Sequence, residues 1–241
     1  MDRTGLSVSA IRGLFLGSTD RFIVGGNAPD ASVQVVQALG GENGVEKFGV
    51  VSDLMLQGVC TDLELCGVPR LAQTFAAVAT SNETTGSSSV SMLNIETYLD
   101  SASLSLQSAE ALFKSDFNIT SLSFCSDLEL MAVGTEAGTV TIIDLYSGKE
   151  VSHMKVDPCG IAKVKFTRTG QLVTVGESSK SHIKIWDLKA SAAGSTSPAM
   201  VLSQQLEGTD GNSESWNDSR GTRSRPSRTT CVSLHPVQEK L

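Results

Sequence analysis

Aromatic side chains are scarce in this chain: Phe, Trp and Tyr together make up 5% of its 241 residues. That leaves no stacking platform for the bases of single-stranded nucleic acid. Positive charge is also short, with 19 Lys and Arg against 26 Asp and Glu, a formal charge of −7. Phosphate contacts dominate nucleic-acid affinity, so no direct nucleic-acid partner is expected. No run approaches the roughly 18 consecutive apolar residues of a membrane helix, so no membrane insertion is expected. The start, MDRTGLSVSAIRG, lacks the charged end, apolar block and cleavage site of a secretory signal. Five cysteines (Cys60, Cys66, Cys125, Cys159 and Cys231) form an odd set without paired spacing. They are expected to be reduced thiols in a soluble, intracellular protein. The triplets Asn82-Glu83-Thr84 and Asn118-Ile119-Thr120 fit the glycosylation pattern, which carries no weight without secretion.

What the chain does contain is a repeat. Phe15, Phe124 and Phe166 are each followed nine residues later by a Val-Gly step: Val24-Gly25, Val133-Gly134 and Val175-Gly176. After a short turn each step leads into a third alternating run, SVQVVQ, TVTIIDL or HIKIWDL. A weaker copy, CTDLELCG then TFAAVATS then SVSMLNI, has Val78-Ala79 at the step. The landmarks Val24, Val78, Val133 and Val175 lie 54, 55 and 42 residues apart. A four-stranded propeller blade needs roughly 40 to 45. The excess is expected in loop insertions at SNETTGSSS and DSASLSLQSAEALFKSDF, with a short helix over 101–114 from the spacing of Leu106, Ala109 and Phe113.

Period-two alternation is what half-buried strands require. In IAKVKF, Val164 and Phe166 share one face, and Lys163 and Lys165 the other. The Val-Gly step is expected on a second strand near the narrow centre, where bulky groups do not fit. Trp186-Asp187 then closes a third strand, Ile143-Asp144 holds its place one unit earlier, and EVSHMKV is a fourth strand. The fold expected is all-β: one partial propeller with blades at about 8–40, 57–100, 117–157 and 160–190. A loop insertion covers 191–228, and the first strand of a fifth blade covers 229–241.

These residues resemble the WD-repeat β-propellers. The repeats are degenerate, with one Trp-Asp and no Gly-His dipeptide, so the His–Ser/Thr–Trp–Asp network of strong repeats is not expected in full. The structural positions are Trp186, Asp187, Asp144, Gly25, Gly134 and Gly176. Within that group GIAKVKFTRTGQLVTVGESSKSHIKIWDLK, SPAMVLSQQLEG and TTCVSLHPVQEKL resemble the forty-three-kilodalton WD-repeat nucleoporins of the Y-shaped outer ring of the nuclear pore. The likeness is best over 160–241. It implies an incomplete ring: in TTCVSL, Leu234 takes the place of Phe166 and the next step falls beyond Leu241, so a truncated chain is expected.

Chemistry-bearing residues are dispersed. His153, His182 and His235 each stand alone, and Cys60 and Cys66 are too widely spaced for a Cys-x₂₋₄-Cys zinc pair. No Gly-x-Ser-x-Gly elbow is present, and VGGNAPD and LGGENG lack the Lys-Ser/Thr of a phosphate loop. No catalytic, cofactor-binding or metal-binding residue is expected, and the chain is not expected to be an enzyme. Arg220, Arg223, Arg225 and Arg228 sit in a Ser-rich loop, read as a solvated insertion or a contact or import signal.

The resemblance implies a scaffold subunit of the nuclear pore outer ring. It would bind other nucleoporins, an α-solenoid subunit among them, at the nuclear envelope and in mitosis at the kinetochore, in support of protein and mRNA transport. The alternative is a substrate receptor of a cullin-type ubiquitin ligase using Trp186-Asp187-x-Lys189, where Lys189 replaces the usual Arg.

Overall fold

The computed structural model describes residues 7–16, 19–27, 33–39, 47–54, 56, 58–68, 73–82, 84–94, 111–177, 183–189 and 199–206. They form sixteen strands in four antiparallel sheets, each made of four strands consecutive in sequence. The first sheet holds β1 (Ser7–Leu16), β2 (Thr19–Asn27), β3 (Val33–Leu39) and β4 (Lys47–Leu54). The second holds β5 (Val59–Val68), β6 (Gln73–Asn82), β7 (Ser87–Asn94) and β8 (Ala111–Ser115). The third holds β9 (Ile119–Cys125), β10 (Leu130–Thr135), β11 (Thr139–Asp144) and β12 (Lys149–Lys155). The fourth holds β13 (Ile161–Phe166), β14 (Leu172–Gly176), β15 (Ile183–Lys189) and β16 (Ala199–Leu206). These are four blades in chain order.

The hydrophobic core lies between blades. Ile23, Val33 and Val35 pack on Cys60, Leu63 and Val78 between the first two. Cys66, Ala79 and Val90 meet Ile119, Leu122 and Met131 between the second and third. Ala132, Val140 and Ile142 meet Ile161, Val164, Phe166 and Trp186 between the third and fourth. Alternation explains this arrangement. Central strands such as β10 and β14 are covered on both faces and are apolar almost throughout. The outer β12 alternates toward solvent, with Lys149, Glu150, His153 and Lys155 exposed. First strands pack on one another in succession, β1 on β5, β5 on β9 and β9 on β13.

Asp144 shows how a hairpin is fixed locally. Its Oδ1 accepts the N–H groups of Tyr146 (2.8 Å) and Ser147 (3.0 Å), and Gly148 follows at φ +67°, conformations that Asx and Gly supply at low cost. Trailing strands carry a bulge against the third strand at the Val35/Val36, Ile142/Ile143 and Ile185/Trp186 steps.

Several expectations from sequence are corrected. The first blade runs past 40, because Lys47–Leu54 pairs with β3. The second runs past 100, because Ala111–Ser115 pairs with β7; the expected helix over 101–114 is therefore strand at its end, with Phe113 opposite Val90, and its earlier part lies outside the described residues. SNETTGSSS is a tight hairpin, Asn82 Oδ1 accepting the N–H groups of Thr84 and Thr85. The stretch 191–228 holds a fourth strand, Ala199–Leu206, paired along β15. The long intervals between landmarks thus contain trailing strands, which short, irregular alternation disguised. Calls on His182, Cys231, His235, Arg220, Arg223, Arg225, Arg228 and the fifth-blade start 229–241 lie outside the described residues.

Candidate functional site

The most connected polar site is a ladder across three first strands. Asp62 on β5, Ser121 on β9 and Lys163 on β13 occupy one level, and Glu64, Ser123 and Lys165 the level two residues on. Asp62 is buried; its Oδ2 accepts the Leu122 N–H at 2.9 Å and the Lys163 ammonium at 3.0 Å, and its Oδ1 accepts the Leu63 N–H at 3.0 Å. Lys165 reaches Glu64 at 3.0 Å. Ser121 and Ser123 accept the N–H groups of Val164 (3.2 Å) and Phe166 (2.9 Å). The inner strands of the second and third blades thus satisfy the open backbone edge of the blade that follows, as a buried N–H requires. The lysines of the fourth blade turn back to the acids of the second. The alternation in IAKVKF exposed the pattern Lys163/Lys165, but their partners lie 101 residues away.

The small residue of each step is imposed by the following blade, not by a narrow centre. A Cβ on Gly25 would lie 2.3 Å from the Cys60 Sγ, and one on Gly134 would lie 2.8 Å from Ile161 Cγ2 and 3.0 Å from Val164 Cγ1. Ala79, packed with Ile119 and Leu122, fills this place in the second blade. Register confirms the equivalence: Gly25 pairs with Val33, Ala79 with Val90, Gly134 with Val140 and Val175 with Ile183. In the fourth blade the place therefore belongs to Val175, and Gly176 falls one residue beyond. Phe166 pairs with Leu172, six residues on, whereas Phe124 pairs with Met131, seven residues on, and this one-residue difference breaks the apparent nine-residue rule. Glu177 then matches Glu136: their N–H groups donate to the carbonyls of Gly160 and Asn118, both at 2.9 Å. Glu136 also accepts the Asn118 side chain at 2.8 Å. These glutamates escaped sequence reading because the register offset hid their equivalence.

Trp186 is 7% exposed and packs among Phe166, Leu172 and Met200. Its indole N–H donates to Thr174 Oγ1 at 2.9 Å. Asp187 accepts Gln171 Nε2 at 2.7 Å, so one Trp–Thr leg of the WD-repeat network is built. Asp144 holds the register of Asp187 but serves the turn.

The remaining candidates are placed separately. Exposed His153 shares a 2.8 Å hydrogen bond with Thr141 through Nδ1. Cys60 and Cys66 are buried, and Cys159 is exposed. Burial first, and Glu64 second, push the Cys66 thiol far above its ordinary range, so it stays protonated and unreactive. Among the described residues no group of three His, Cys, Asp or Glu is placed to hold a metal. Three exposed large apolar side chains lie outside the strands, Leu128 and Tyr146 on the β9–β10 and β11–β12 turns and Phe117 before β9, while Val50, Val201 and Leu202 stand on the trailing strands β4 and β16.

Comparison with known proteins agrees with this geometry. A family described as the anaphase-promoting complex subunit 4 WD40 domain matches residues 104–169, which take in the third blade and β13. Among solved structures, Chaetomium thermophilum Sqt1, bound to the N-terminus of the ribosomal protein L10, is similar with a TM-score of 0.53 and 16% identity. That match covers 86% of this chain and 54% of the other, so the chain spans about half the length of that relative. Comparison with curated proteins gives no match. The four-stranded blades, their packing order and these likenesses define the fold as a WD-repeat β-propeller, of which the described residues supply four blades.

Proposed function

We propose that this chain is a non-enzymatic docking scaffold that binds other proteins through the turns and rims of its blades. The observation that carries the reading is where its polar groups are used. Asp62, Ser121, Ser123 and Lys163 hold blades together and Trp186 braces the fourth blade from within, while large apolar groups (Leu128, Tyr146, Phe117) stand out on turns. Exposed aromatic and aliphatic anchors on a rigid frame suit protein recognition. The resemblance of 160–241 to outer-ring nucleoporins makes the nuclear pore its preferred setting: a nuclear-envelope scaffold contacting an α-solenoid nucleoporin, with kinetochore association in mitosis.

A second reading, membership in an assembly of the anaphase-promoting-complex type, is favoured by the match over 104–169. Affinity purification of the tagged chain, followed by mass spectrometry, separates them. Outer-ring nucleoporins lost on Tyr146→Ala and Leu128→Ala support the first reading. Recovery of anaphase-promoting-complex or cullin-ligase subunits in their place overturns it.

A further inference from the structure

The trailing strands differ in one respect. An outer strand leaves a row of backbone donors and acceptors open to another chain, and proteins blunt such rows with charge, above all Lys. The first three blades follow that rule: KFGVVSDL carries Lys47 and Asp53, ALFKS carries Lys114, and KEVSHMK carries Lys149, Glu150 and Lys155. In the fourth, AMVLSQQL has no charge, proline or glycine over its eight residues. Five consecutive side chains, Val201 to Gln205, are exposed, with Val201 at 40% and Leu202 at 45%. Among the described residues β16 pairs with β15 alone. A bulge at Ser203 interrupts it, yet the other trailing strands carry bulges too, so the missing charge is what sets β16 apart.

We propose that the outer edge of β16 is a self-association site, at which a second copy of this chain adds its own β16 antiparallel to form a continuous eight-stranded sheet. The occupant follows from charge. A two-fold antiparallel pair opposes residues of one strand to residues of its copy, so a charged strand pairs well only in registers that keep like charges apart, as β12 would with Lys149 opposite Glu150. A neutral strand meets no like charge from its copy in any register, and an edge without charge is the kind that pairs with its own copies. A two-fold at Leu202 also sets that half-exposed side chain against its own copy. Edge pairing of this kind draws its affinity from main-chain hydrogen bonds and its selectivity from alternate side chains. Two chains of formal charge −7 repel at long range, so association should tighten as salt screens them.

The test is sedimentation equilibrium of residues 1–241 across a dilution series at low and high salt. The expected result is a reversible monomer–dimer equilibrium that strengthens with salt. Leu202→Lys, and separately Gln204→Lys, should each weaken it by about tenfold or more, with unchanged circular dichroism and melting temperature. Ser147→Lys, on an exposed turn of another blade, should leave it unchanged. A chain that stays monomeric throughout, or a dimer indifferent to both edge lysines or equally sensitive to Ser147→Lys, overturns the proposal.

Discussion

Trp186 and Gly134 hold opposite kinds of position, one filled by a large ring and one kept empty. Replacing Trp186 with Ala should cost about 3–5 kcal/mol, because the buried ring leaves a cavity beside Phe166 and Met200. Trp186→Phe should retain much of that packing, yet lose the donor to Thr174, an isolated hydrogen-bond effect of about 1 kcal/mol. Denaturant titration of both variants separates the contributions, and a Trp186→Phe variant as stable as the wild type would mean the indole N–H has no role. At Gly134 the danger is excess. A valine there drives methyl groups into Ile161 and Val164, and overpacking of this kind costs about 1–3 kcal/mol. A Gly134→Val variant as stable as the wild type would show that the third and fourth blades do not approach so closely.

The strands differ in how far the sequence disclosed them. First, second and third strands were legible, because burial on both sides imposes alternation or near-continuous apolar runs, as in LMAVGT and TVTIID. Trailing strands are wet on their outer side and pair through bulges that shift the period, so ALFKS and AMVLSQQL read as insertions. The Asp62–Lys163 ladder was illegible for a different reason: neither residue type predicts a partner 101 positions away. The corrected role of β16 changes what a deletion does. Were 191–228 loop throughout, removing 191–219 would leave a stable core. With β16 paired along β15 and Met200 buried beside Trp186, the deletion should strip a strand and lower the melting temperature by several degrees. A deletion confined to 207–219 spares every described residue and is the matched control. Equal melting temperatures for the two would mean that β16 does not contribute to the fourth blade.

At the scale of the whole molecule the blades are held in order by their inner strands. Apolar clusters join each neighbouring pair, while the polar ladder joins the second blade to the fourth across the third. A frame stiffened in this way presents its turns and rims in fixed relation, which is what a docking scaffold needs. The measurement that tests this most directly is a double-mutant cycle between Asp62 and Lys163. Asp62→Asn keeps an oxygen for the Leu122 N–H while removing the charge, and Lys163→Met keeps the aliphatic stem. Groups in contact couple, whereas groups more than about 7–10 Å apart add within roughly 0.3–0.5 kcal/mol. The stacked-blade account predicts a coupling of about 1 kcal/mol or more in unfolding free energy. Additivity within that margin would contradict it, because two charges held 3.0 Å apart across the third blade's inner strand should couple.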